Sequence, residues 1–125
     1  MAKSNYTILL VEDEKDLNNA LKTGLEHHGF TVLTARDGEK GVDLLKNHEV
    51  DLVLLDVIMP FFDGVWFMQT VKANESMKDV PVIVLTNLTQ GEKIASVVSM
   101  GANQVLLKAD TSISTLVGVI EETLK

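Results

Sequence analysis

The sequence predicts a doubly wound α/β fold, and three observations carry that expectation. Five apolar runs of strand length recur along 125 residues, each followed by a segment with helical spacing. Three of the runs, Ile8–Val11, Leu52–Leu55 and Val82–Leu85, carry no polar residue, as expected of parallel strands covered on both faces. Strict alternation of strand and helix then forces parallel strands joined by right-handed crossovers, with helices on both sides of the sheet.

Taken in order, the first strand is expected at Tyr6–Val11, and Leu17, Leu21 and Leu25 mark one face of the helix after it. Gly29 stands where that helix stops, before a second strand at Phe30–Ala35. Asp37-Gly38 opens a second helix, marked weakly by Val42 and Leu45. The third strand, Asp51–Leu55, is followed by the Asp63-Gly64 turn and a helix with Val65 and Met68 inward. After a fourth strand at Val80–Leu85, a stripe of Ile94, Val97 and Val98 leads to a stop at Gly101. The fifth strand, Gln104–Leu107, precedes the clearest helix, with Ile113, Leu116, Val117, Ile120 and Leu124 at i, i+3, i+4, i+7 and i+11.

Length and composition place the chain as one domain, residues 1–125 with a core over 6–124, and 46% hydrophobic residues suffice for a single core. Eleven basic against 18 acidic residues give a net charge of -7, which argues against a nucleic-acid backbone as direct partner. With no cysteine there is neither a disulfide framework nor a thiolate metal site, and a reducing cytoplasmic setting is expected. Met1–Asn5 is short and polar, and Glu12 and Asp13 follow too soon for a signal sequence. No apolar stretch reaches the roughly 18–20 residues of a membrane span, so a soluble protein is expected.

In open α/β sheets ligands gather at the carboxyl ends of the strands. Those positions hold Glu12 and Asp13 after the first strand, Asp56 after the third, Thr86 after the fourth and Lys108 after the fifth. Any one of them is explained as a polar strand end in solvent; together they suggest a site. Three carboxylates in one crevice suit a hard divalent cation, with Mg2+ favoured by oxygen-only ligands. A lysine and a threonine opposite them suit a phosphoryl group, and a carboxylate is a competent phosphoryl acceptor.

These residues carry a resemblance that spans Ile8 to Leu124. The acidic turn Val11-Glu12-Asp13-Glu14, the segment Leu54-Leu55-Asp56-Val57-Ile58-Met59-Pro60 with Asp63-Gly64, Thr86 after Val84-Leu85, the Gly101-Ala102 turn and Lys108 resemble the receiver domain of bacterial two-component response regulators, in its single-domain, chemotaxis-receiver-like form. The resemblance implies a flavodoxin-like three-layer (βα)5 sandwich with strand order 2-1-3-4-5. It implies Asp56 as phosphoacceptor, Mg2+ held by Glu12, Asp13, Asp56 and the carbonyl of Ile58, and phosphoryl oxygens bound by Thr86 and Lys108. It implies a histidine kinase or phosphotransfer protein as donor and an unidentified downstream protein as target. The chain then catalyses only its own aspartyl phosphorylation and dephosphorylation, as a monomer or a phosphorylation-linked dimer.

The sequence departs from the family pattern at several positions. Ala109 follows Lys108 where proline with a cis bond is usual, which leaves a loop that is either trans and rearranged or cis and strained. Val105 stands where an aromatic residue often reports phosphorylation. Ile58 and Leu88 are apolar where fast-cycling relatives orient water, so slow loss of the phosphoryl group is expected, and Asn87 narrows access. An alternative follows: a pseudo-receiver, an interaction module not switched by phosphate. A flavin-binding or phosphatase reading of the same topology lacks a Gly/Ser/Thr-rich loop after the first strand and an Asp-x-Asp motif.

Other residues have plainer readings. Phe61, Phe62 and Trp66 either line a partner site or tuck back onto the fold. His27, His28 and His48 are expected in solvent without a metal role, and Glu14 and Asp16 as a helix N-cap and first turn. By the resemblance alone, the fourth helix, fifth strand and fifth helix offer an apolar docking face.

Overall fold

The structure, a computed structural model, describes residues 5–87 and 91–125. Strands and helices alternate: β1 (Thr7–Val11), α1 (Lys15–His27), β2 (Thr31–Ala35), α2 (Gly38–Asn47), β3 (Leu52–Asp56), α3 (Gly64–Lys72), β4 (Val82–Thr86), α4 (Gly91–Ser99), β5 (Gln104–Leu107) and α5 (Ile113–Leu124). All strand pairs are parallel and the order is β2-β1-β3-β4-β5. The chain steps outward from β1 to β2, then crosses to β3 on the other side of β1. The carboxyl ends of β1 and β3 therefore flank the switch point where a crevice opens.

Strand periodicity divides the core in two. Leu9, Val11, Val53, Leu55, Val82 and Val84 face α2, α3 and α4, where they meet Val42, Leu45, Phe67, Met68, Val71 and Val97. Ile8, Leu10, Leu52, Leu54, Ile83 and Leu85 face α1 and α5, against Leu21, Leu25, Leu116, Val117 and Ile120. Each fully buried side chain of this size stabilises by roughly 1.5–3 kcal/mol relative to exposure. The sheet's centre is thus apolar on both faces, as the uninterrupted runs required.

Two helices differ from the expected faces. In α3 the buried positions are Gly64, Phe67, Met68 and Val71, while Val65 is half-buried. The segment is apolar at Val65, Trp66, Phe67 and Met68, so spacing alone did not choose between neighbouring faces. In α4 only Val97 is buried, and Val98 is 49% exposed, because a helix at the sheet's margin has less surface to cover.

The strand ends also shift by a residue. β3 and β4 run on to include Asp56, beside Leu85, and Thr86, beside Leu107, so both polar side chains leave from ladder positions. Asp37, Asp63 and Ser112 cap α2, α3 and α5 by accepting from the amides of Lys40, Trp66 and Thr115. Gly29 (φ 93°) and Gly101 (φ 103°) take the left-handed conformation after α1 and α4. After β5 the chain enters a 3₁₀ turn, Lys108–Asp110, and no described peptide bond is cis. Among the described residues no helix is long and apolar enough to cross a membrane.

Candidate functional site

The site assembles from three strand ends. At β1, Glu12 N–H donates to Ala35 O at 3.0 Å, carrying the β1/β2 ladder one step beyond the strand. The turn then folds back: Glu14 N–H donates to Glu12 Oε2 at 3.0 Å, Asn18 Nδ2 to Glu12 O at 3.0 Å, and Arg36 Nε to Asp13 O at 2.8 Å. At β3, Ile58 N–H approaches Asp56 Oδ1 at 3.3 Å. The loop after it is tied down where Gly64 N–H meets Val57 O at 3.0 Å and Gly38 N–H meets Phe62 O at 2.7 Å. At β5, Lys108 turns inward and places Nζ 2.8 Å from Glu12 Oε1 and 3.2 Å from Asp56 Oδ2.

Carboxylate oxygens of Glu12, Asp13 and Asp56 all lie within 4.8 Å of one another. They border a cavity of about 370 Å3 together with Glu14, Ile58, Asn87 and Lys108. One ammonium group does not balance three carboxylates held this close. Burial first, and the neighbouring Glu12 carboxylate second, push the Asp56 carboxyl up to about 7, against the opposing pull of Lys108. Burial disfavours the Lys108 charge, but its bonds to Glu12 and its attraction to Asp56 outweigh that and hold the ammonium above the ordinary lysine value. At the rim, burial would raise Asp63, yet the hydrogen bonds from Lys93 Nζ, at 2.7 Å, and Trp66 N–H hold it below the usual carboxylate range.

Of the residues singled out in the sequence, Glu12, Asp13, Asp56, Ile58 and Lys108 come together around this cavity. Thr86 is fully buried at the end of β4, and the described lining includes its neighbour Asn87 instead. Leu88 lies outside the described residues. The Lys108–Ala109 junction is trans, the first of the two expected arrangements, and Lys108 still reaches both carboxylates. Glu14 occupies the α1 N-cap position without a side-chain cap bond. His27, His28 and His48 are exposed, and His28 and His48 hydrogen-bond to main-chain carbonyls within their own helices. Phe62 (φ 46°) packs edge-on against Trp66 at 4.8 Å, whereas Phe61 is 73% exposed.

Asn18, Arg36 and Lys93 were not singled out in the sequence. Arg36 and Lys93 act through contacts to segments distant in sequence and Asn18 through main-chain carbonyls, and a lone polar residue on a helix or loop gives no local signal of such a partner.

The sequence matches the response regulator receiver domain family over residues 8–120. The chain belongs to that family. Among curated relatives, the transcriptional regulatory protein CpxR of Escherichia coli is 42% identical over 103 residues, which cover 81% of this chain and 42% of the relative. The probable transcriptional regulator ycf27 of Cyanidium caldarium is 32% identical over 85% of this chain and 41% of its own length. The receiver thus spans about two fifths of these relatives. Among solved structures, chemotaxis protein CheY4 of Vibrio cholerae superposes with a TM-score of 0.85 at 26% identity, covering 94% of this chain and 97% of that one. The signal receiver domain of a histidine kinase from Syntrophus aciditrophicus gives 0.85 at 28% identity, with 95% and 89% covered.

Proposed function

We propose that this receiver takes a phosphoryl group onto Asp56 from the phosphohistidine of a histidine kinase or phosphotransfer protein, and signals by phosphorylation-dependent binding to a downstream protein. The observation that carries the proposal is Lys108 Nζ in contact with both Glu12 and Asp56 inside one polar cavity. A carboxylate oxygen of Asp56 attacks phosphorus; the phosphorus–nitrogen bond breaks, its electron pair returns to the imidazole, and the product is an acyl phosphate. Lys108 then exchanges a carboxylate contact for a phosphoryl oxygen. Thr86, at the end of β4, contributes its hydroxyl to a phosphoryl oxygen.

The oxygen donors of Glu12, Asp13 and Asp56, with the main-chain carbonyl of Ile58, fit Mg2+. When bound, that cation neutralises charge on the carboxylates and on the transferring phosphoryl group. The chain turns over no free substrate, and its setting on this reading is cytoplasmic, as a monomer or a dimer formed on phosphorylation. Incubation with acetyl phosphate and Mg2+, followed by intact mass measurement, tests the proposal. One phosphoryl group is expected on the wild type and none on Asp56→Asn. An unmodified wild type would mean an interaction module that phosphate does not switch.

A further inference from the structure

Among the described residues the buried polar side chains are Glu12, Asn18, Asp56 and Thr86. Three of these stand at strand ends in the candidate site, but Asn18 sits on the inner side of α1, between half-buried Leu17 and the buried Leu21 stripe. An apolar side chain there would avoid the desolvation that an amide suffers. What Asn18 gains is the carbonyl of Glu12, at 3.0 Å, beside that of Ala35, at 3.5 Å. The next carbonyl along, Asp13 O, accepts from Arg36 Nε at 2.8 Å. Two side chains, one from α1 and one from the loop after β2, therefore grip consecutive carbonyls of one turn, and neither borders the cavity.

We propose that Asn18 and Arg36 are positioning residues, which hold the acidic turn by its main chain so that the Glu12 and Asp13 carboxylates stand assembled against Asp56 for a divalent cation. This inference rests on the phosphoacceptor reading of the site. Adjacent carboxylates repel one another, and an unrestrained turn would relieve that repulsion by splaying. Gripping the carbonyls prevents this and leaves the Asp13 carboxylate free for a ligand. Groups that orient metal ligands from behind commonly change affinity by about 10–100-fold when removed.

Arg36 separates positioning from plain electrostatics, because the two predict opposite signs. As a charge, an exposed guanidinium near the site repels Mg2+, and its removal would tighten binding. As a clamp, its removal loosens the turn and weakens binding. The test is a Mg2+ titration of the full chain followed by amide chemical shifts, comparing wild type, Arg36→Met and Asn18→Leu, with thermal midpoints in EDTA as a check on folding. The proposal expects the Mg2+ affinity of both variants to fall about tenfold, while the midpoint of Arg36→Met stays where the wild type's is. If Asn18→Leu does not fold, Arg36→Met decides alone. Affinity equal to or tighter than wild type in Arg36→Met overturns the clamp and leaves the phosphoacceptor reading intact. A wild type that binds no Mg2+ overturns both.

Discussion

The middle of the sheet and its carboxyl edge are built on opposite terms, although they lie within a few residues of each other. In β1, β3 and β4 the side chains from Ile8 to Val11, Leu52 to Leu55 and Val82 to Val84 are at most 1% exposed and wholly apolar. At the carboxyl ends of the same strands stand Glu12, Asp56 and, after Leu85, Thr86, polar and at most 4% exposed. The centre gains from every atom it withdraws from water. The edge withdraws charge: three carboxylates lie close together, and among the described residues the Lys108 ammonium pairs with two of them, Glu12 and Asp56. A sheet assembled for stability alone would not place its charged residues there.

Substitutions sharpen that contrast, and the largest effect is expected in the centre. Leu54→Ala leaves a cavity between β3 and the α1/α5 face and is expected to cost about 2–5 kcal/mol, read from urea midpoints; a loss below about 1 kcal/mol would break the account of the core. Next, Lys108→Met strips the only cation seen between Glu12 and Asp56 among the described residues. It is expected to destabilise by about 1–3 kcal/mol in EDTA, and Mg2+ is expected to restore more of that loss than it adds to the wild type. Equal effects of Mg2+ on the two proteins would separate Lys108 from the cation site.

A kinetic change comes third. Ile58 borders the cavity with an apolar side chain, so phospho-Asp56 is expected to be long-lived. Ile58→Asn, which can orient water, is expected to speed dephosphorylation about tenfold, near 1.4 kcal/mol of barrier. Decay of the wild type within seconds would contradict this. The smallest effect belongs to the rim. Asp63 is held below its usual range, so its charge stabilises the fold above an ordinary carboxylate pKa, and that contribution is lost as acid protonates it through the lowered value. Asp63→Asn keeps the cap on α3 but loses the partly exposed pair with Lys93. Urea unfolding is expected to show at most about 1 kcal/mol at neutral pH, with the difference from wild type vanishing in strong acid.

The fold was legible where burial on both faces left the sequence no choice. The uninterrupted runs of β1, β3 and β4 and the stripe of α5 carried the topology, and the strand ends carried Glu12, Asp13, Asp56 and Lys108. The face of α3 was not legible, since Val65 through Met68 is apolar at every position and period 3.6 cannot be read from a uniform run. Asn18 and Lys93 were missed for a different reason: each has its partner in a segment distant in sequence or in main-chain atoms, which residue type does not encode. Thr86 was placed correctly at the end of its strand, but its full burial depends on how β5 packs beside it.

On the phosphoacceptor reading, the carboxyl edge gives up stability in order to hold a cation. Thermal unfolding of the wild type and Asp56→Asn, each in EDTA and in Mg2+, tests it most directly. Asp56→Asn is expected to unfold at the higher temperature in EDTA, because one of three crowded carboxylates has lost its charge, and Mg2+ is expected to raise the wild type more than the variant. A variant that unfolds at the lower temperature in EDTA, with Mg2+ moving neither protein, would contradict it.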